Sequence, residues 1–171
     1  MQPAQRREHL PAIFPTVHAR NLNRRSFHLP GDFESQRNLV IVAFQRDQQA
    51  AVDTWTAPVR DLLARYPDLR WYELPTIRHA NPLFRAWLDG AMRGGTPDHQ
   101  SREQTITLYV DKLAFRQALG LPHEDTIYVL LVDRAGHVLW RGEGEYAARL
   151  AAQLEAVLAG TAQPAAVPTA G

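Results

Sequence analysis

Five consecutive apolar residues, Leu39, Val40, Ile41, Val42 and Ala43, form the most uniform hydrophobic run of the chain. It is too short for a free-standing helix and suits a strand covered on both faces. After it, Val52, Trp55, Val59, Leu62, Leu63 and Tyr66 recur at the three- and four-residue spacing of one helical face, so the strand feeds a helix. Pro58 falls inside that pattern and should kink the helix or close its first turns. Over 69–77 the pattern alternates, as a second strand that Pro75 should end. Asn81-Pro82 pairs an N-cap with a proline at the first helical position. Leu83, Phe84, Trp87, Leu88, Ala91 and Met92 then form one apolar face, and Gly94-Gly95 stops it.

The polar stretch 94–103 reads as a mobile loop. Residues 105–111 alternate as a third strand, and Asp111 can cap a short helix through Leu113, Phe115, Ala118 and Leu119 to Gly120. The run 126–132 is a strongly apolar strand. Asp133-Arg-Ala-Gly136 turns it, and 137–141 returns antiparallel. A last helix carries Tyr146, Leu150, Leu154, Val157 and Leu158 on one face. The lead-in 13–33, broken by Pro15, Asn21, Asn23, Pro30 and Gly31, holds a short edge strand at 26–29. Residues 1–12 are expected to be loosely attached and 161–171, rich in Ala, Pro, Thr and Gly, disordered, which leaves one domain over 13–160.

Strands and helices in this order imply an α/β fold with a mixed central sheet and helices on both faces, parallel where helices connect and antiparallel in the final hairpin. A chain of 171 residues can bury a sufficient core without metal or disulfide help. A formal net charge of +1 gives no reason to expect nucleic acid as a partner, and no window has the roughly 20 apolar residues of a membrane span. The first residues lack the apolar segment of a secretory signal, so a cytoplasmic location is expected. Lys112 is the only lysine. The count that excludes most is that of cysteine, which is zero: disulfides, thiolate metal sites and thiol catalysis are all ruled out for this chain.

In α/β proteins the turn from such a strand into its helix is where ligands bind. Here the turn carries Arg46, Asp47, Gln48 and Gln49, followed by Asp53 and Trp55. As a cleft it would offer amides, helix N-terminal N–H groups for an anion and an indole wall. In the plainer reading Asp47 or Gln48 caps the helix and Trp55 fills the core. The histidines show no i,i+4 or H-x-H pairing that would gather metal ligands. No serine stands in a G-x-S-x-G elbow, and no carboxylate pair is placed for acid–base work. Gly142 and Gly144 fit a strand-to-helix connection better than a dinucleotide fingerprint. Trp71, Trp87, Trp140 and Phe84 could form an exposed patch for a client protein, but each falls on a periodic face that suits a core better. The helix over 83–92 beside the polar 94–103 stretch is where a partner surface is expected.

The element order resembles the thioredoxin fold, a three-layer sandwich, in the elaborated form shared by peroxiredoxins and thiol oxidoreductases of the TlpA kind. Pro58 looks like the proline that lies along the first helix of thioredoxins. The C-x-x-C of that family would fall at Gln49 and Val52, or at Ala50 and Asp53, and neither register supplies sulfur. The cis-proline hallmark would fall near Thr126 or Ile127 and is missing, with Pro122 too far upstream to replace it.

Arg116-Gln-Ala-Leu-Gly-Leu121, Tyr128-Val-Leu-Leu-Val-Asp133, Gly136-His-Val-Leu-Trp140 and Gly142-Glu-Gly144 are similar, in order, to segments of the mitochondrial ATP synthase assembly factors. Those are thioredoxin-like proteins without a conserved redox pair. Over 36–158 that resemblance implies a chaperone for newly made subunits, and the missing targeting peptide implies a bacterial relative with its own client.

The expectation is a non-redox binding protein, an assembly factor or chaperone-like adaptor. It needs no cofactor, metal or catalytic residue, and its partner is a protein client such as a membrane-complex subunit. Arg46, Asp47, Gln48, Gln49, Asp53 and Trp55 would face Asp125 and Thr126 across the vestigial turn. The competing expectation is an enzyme that has repurposed the cleft, a cysteine-independent peroxidase or a transferase.

Overall fold

The structure, a computed structural model, describes residues 12–160. The expectations for 1–11 and 161–171 lie outside the described residues. In chain order the elements are β1 (Val17–Asn21), β2 (Ser26–Leu29), β3 (Arg37–Ala43), a 3-10 turn (Arg46–Gln48), α1 (Gln49–Asp53), α2 (Thr56–Arg65) and β4 (Leu69–Arg78). After these come α3 (Pro82–Gly94), α4 (His99–Gln104), β5 (Ile106–Val110), α5 (Lys112–Leu119), β6 (Tyr128–Asp133), β7 (Val138–Glu143) and α6 (Ala148–Gly160). The strands form one seven-stranded sheet in the order β2-β1-β5-β4-β3-β6-β7.

The apolar run becomes the central strand, as its pattern requires. β3 lies between β4, parallel to it, and β6, antiparallel, and Leu39, Val40, Ile41 and Val42 are fully buried. Each such side chain contributes about 1.5–3 kcal/mol by leaving water. Strand alternation divides the core in two. Leu39 and Ile41 meet Val52, Trp55, Val59 and Leu62 of the first helices and Leu150, Leu154 and Leu158 of α6. Val40 and Val42 meet Phe14, Phe33, Tyr72 and Tyr128, with Phe115 and Leu119 of α5 covering that face. Helices therefore lie on both faces of the sheet.

Arg37 opens β3 as a buried cation. Its Nε and Nη2 fork onto Asp68 at 2.7 Å each and its Nη1 donates to the Leu158 carbonyl at 2.6 Å. The guanidinium bond holds the Asp68 carboxyl below the usual carboxylate range. This fork joins the base of the central strand to the turn before β4 and to the end of α6.

Four local expectations are corrected. The lead-in holds two strands rather than one, because Val17–Asn21 pairs with both β2 and β5. Ala12 is also tied down, its carbonyl accepting from the Val138 N–H at 2.9 Å. Pro75 does not end β4, which runs on to Arg78. Its neighbour changes there: Pro75 is the last residue paired with β3, and Thr76 begins the pairing with β5, so the missing N–H falls at the handover. Residues 94–103 are not simply a loop, since Asp98 accepts from the Ser101 N–H at 2.8 Å and starts α4.

The caps at Asn81 and Asp111 form as expected, with Phe84 and Ala114 as donors at 2.9 and 3.0 Å. The helix after β3 breaks at Thr54 and Trp55, and Pro58 falls in the first turn of α2, where its missing N–H costs nothing.

Candidate functional site

β3 delivers the turn to the edge of the sheet, and the turn then closes on itself. Gln48 is buried, and its Oε1 accepts from the backbone N–H groups of Phe44 at 2.8 Å and Gln45 at 3.1 Å. Its Nε2 donates to the Glu124 carbonyl at 2.7 Å, and Gln45 Nε2 reaches the same oxygen at 3.1 Å. The N–H of Gln48 is taken by the Gln45 carbonyl and that of Gln49 by Arg46. Two of the N–H groups that the sequence offered to an anion are thus used internally. Gln48 is a clamp on the backbone rather than a ligand arm.

The opposing loop is brought to the turn, through Glu124 rather than through Asp125 or Thr126. Lys112 Nζ donates to the Phe44 carbonyl at 3.0 Å and stands 3.5 Å from the Glu124 carboxylate, with Arg116 3.4 Å from its other oxygen. Asp125 is exposed and Thr126 half-buried beside Gly144. Arg46 and Asp47 are exposed.

Trp55 is corrected most plainly, because it is fully buried and cannot wall a cleft. The break between α1 and α2 turns its ring into the core, edge-on to Tyr146 at 5.3 Å, and its indole N–H donates to the Gly144 carbonyl at 3.1 Å. Gly144 has φ +89°, a conformation that L side chains rarely adopt, and Gly142 gives way to the Trp140 ring, which a Cβ would meet at 2.5 Å.

One group escaped the sequence reading. Glu73 of β4, side by side with Ile41 of β3, is half-buried on the α1 side of the sheet. Burial raises its carboxyl above the usual range and the Asp53 carboxylate adds to the rise, while a hydrogen bond from the Gln49 side chain opposes it. Gln49 also donates to Asp53 at 2.9 Å. An amide and two carboxylates therefore meet at the start of the helix that follows β3. The signal was a lone carboxylate on the apolar side of an alternating strand. Among the described residues no three His, Asp or Glu side chains gather as a metal-binding group.

α3 is inverted. It has no buried residue, and Leu83, Trp87 and Phe84 are 85%, 66% and 45% exposed. Trp87 and Phe84 thus leave the core that their spacing suggested, whereas Trp71 is buried and Trp140 half-buried. No described helix is long and apolar enough to cross a membrane.

No protein-family model matches this sequence, and no curated protein does. Solved structures match in fold. One is BsSco, a member of the Sco family of cytochrome c oxidase assembly proteins, with a TM-score of 0.63 at 14% identity over 91% of this chain and 96% of that one. A thiol:disulfide interchange protein from Bacteroides sp. gives 0.56 at 15% identity over 88% and 91%. A putative thioredoxin from Neisseria meningitidis gives 0.52 at 13% over 88% and 93%.

The molecule is thus an α/β protein of thioredoxin-like fold. It is one without cysteine, its helical turn filled by glutamine and aspartate. The narrower resemblance to the ATP synthase assembly factors gains no support from these structures.

Proposed function

We propose that this chain is a non-redox binding protein, an assembly factor or chaperone-like adaptor that holds a protein client against α3. The observation that carries the reading is the apolar ridge of Leu83, Phe84 and Trp87, with the last two rings 5.8 Å apart on the outside of the helix. Adjacent exposed aromatic side chains of this size mark contact surfaces on soluble domains. Without cysteine the chain has no dithiol to exchange, which favours recognition over thiol chemistry. BsSco belongs to a family of cytochrome c oxidase assembly proteins, which favours an assembly role here, with a membrane-complex subunit as client.

The test is affinity capture with mass spectrometric identification, comparing the native chain with a Leu83→Ser/Trp87→Ser double variant. Recovery of a membrane-complex subunit that falls tenfold or more in the variant, at unchanged thermal stability, is the expected result. Equal recovery by both proteins sinks the reading.

A second reading, an enzyme with a repurposed cleft such as a cysteine-independent peroxidase or a transferase, is favoured by one observation, the carboxylates of Asp53 and Glu73 converging on Gln49.

A further inference from the structure

α3 meets the sheet in part through polar side chains. His18 and Arg20 of β1, Ser26 and His28 of β2, and Thr107 and Tyr109 of β5 line one side of a groove of about 470 Å3, and Arg85 and Asp89 of α3 line the other. A second groove of about 250 Å3 shares Arg20 and Asp89 and adds Arg24 and Arg93. Helices ordinarily cover a sheet with their apolar side. Here Leu83, Phe84 and Trp87 are turned out, while Arg85 and Asp89 face the sheet together with the half-buried Leu88 and Met92.

That layer holds an excess of donors. Among the described residues Asp89 is the only carboxylate lining either groove, and the Tyr109 hydroxyl already donates to it at 2.5 Å. Arg85 has its guanidinium 4.8 Å above the Tyr109 ring, which fixes its plane, and its Nε is buried with no hydrogen-bond partner. No hydrogen bond or ion pair joins the guanidinium groups of Arg20, Arg24 or Arg93 to another described residue. His18 and His28, paired across the hairpin with rings 4.1 Å apart, add ring nitrogens at the far wall. Of these donors only Arg85 Nε is buried, and a buried donor is normally satisfied, whereas Arg20, Arg24, His18 and His28 are exposed. Among the described residues no acceptor meets Arg85 Nε.

We propose that the grooves under α3 form a binding site for a phosphate-bearing ligand. The guanidinium fork matches two oxygens of one phosphate, and four guanidinium groups against one carboxylate favour a multiply charged anion over a single carboxylate. A volume of about 470 Å3 lies in the range of small-molecule sites. Either a soluble phosphate ester or the headgroup of an acidic phospholipid has this chemistry.

The experiment uses the full chain in two arms. In the first, pyrophosphate is titrated calorimetrically. In the second, the protein is floated with phosphatidylcholine vesicles with and without phosphatidylglycerol. Arg20→Gln and Arg85→Gln are compared with Arg65→Gln, an exposed arginine of α2 paired with Glu155. Arg20 carries the folding control, because its side chain has no structural partner to lose.

Saturable pyrophosphate binding that weakens at least tenfold in the Arg20 and Arg85 variants, and not in the Arg65 variant, supports a soluble ligand. Flotation that requires phosphatidylglycerol and is lost in the same two variants supports a lipid headgroup. Absence of binding in both arms, or equal weakening by Arg65→Gln, overturns the proposal.

Discussion

Gln48 donates from Nε2 to the carbonyl of Glu124 at 2.7 Å, joining the end of the central strand to a loop 76 residues further on. The same amide accepts from Phe44 and Gln45 through its oxygen, so one side chain satisfies both sides of a junction that backbone pairing leaves open. The turn is locked by its own glutamine.

Gln48→Ala should therefore act on stability. It leaves the N–H groups of Phe44 and Gln45 without partners and takes from the Glu124 carbonyl one of its two donors, at a cost of about 1–3 kcal/mol. Urea unfolding measures the loss, and amide exchange at Phe44 and Gln45 should accelerate selectively. Unchanged exchange at those two amides would show that the clamp does not hold the turn.

Trp55 and Trp87 make opposite predictions from the same residue type. Trp55→Ala empties a fully buried position and abandons the Gly144 carbonyl, so it should cost about 3–5 kcal/mol or prevent folding. Trp87→Ala removes an exposed ring and should change stability by less than about 0.5 kcal/mol. Thermal melts of the two variants decide it, and a comparable loss for Trp87 would mean that α3 is anchored through that ring.

Glu73 gives a pH dependence with a definite sign. Its folded carboxyl keeps its proton to higher pH than the unfolded chain does, because burial and Asp53 disfavour the charge. Its contribution is most favourable below the ordinary glutamate range and declines as pH climbs from there through the raised folded value. Glu73→Gln should accordingly be more stable than the native protein at neutral pH, on the order of 1 kcal/mol, with the difference vanishing below about pH 4. Stability curves of both proteins from pH 3 to 8 test this, and parallel curves would refute it. A variant that gains stability and at the same time loses peroxide consumption would move the functional reading to the enzyme.

The class of fold was legible because strand burial is written locally. Leu39 to Val42 could only be central, Asn81-Pro82 and Asp111 could only start helices, and Asp133 to Gly136 turned where expected, Gly136 adopting φ +92°. Two other features were misread for one shared reason, that local pattern carries no information on what lies opposite. Pro75 reads as a strand end unless the change of partner from β3 to β5 is known. The β1 strand, alternating weakly, shows itself only through its neighbours.

The candidate site divides the same way. That the turn after β3 holds no thiol, and that the chain holds none anywhere, follows from the residues alone and excludes dithiol chemistry. Which way each side chain faces does not follow. Trp55 goes inward because the helix breaks beside it, and Gln48 goes inward because two backbone N–H groups and the Glu124 carbonyl converge on it. α3 carries apolar and charged stripes of comparable strength, and periodicity measures each stripe without saying which meets the sheet. Only the packing decided that Arg85 and Asp89 would lie against Tyr109 while Leu83 and Trp87 met the solvent. Burial is a property of the assembled chain, set by the free energy of all contacts together, and a stripe of residues fixes its own spacing but not its neighbour.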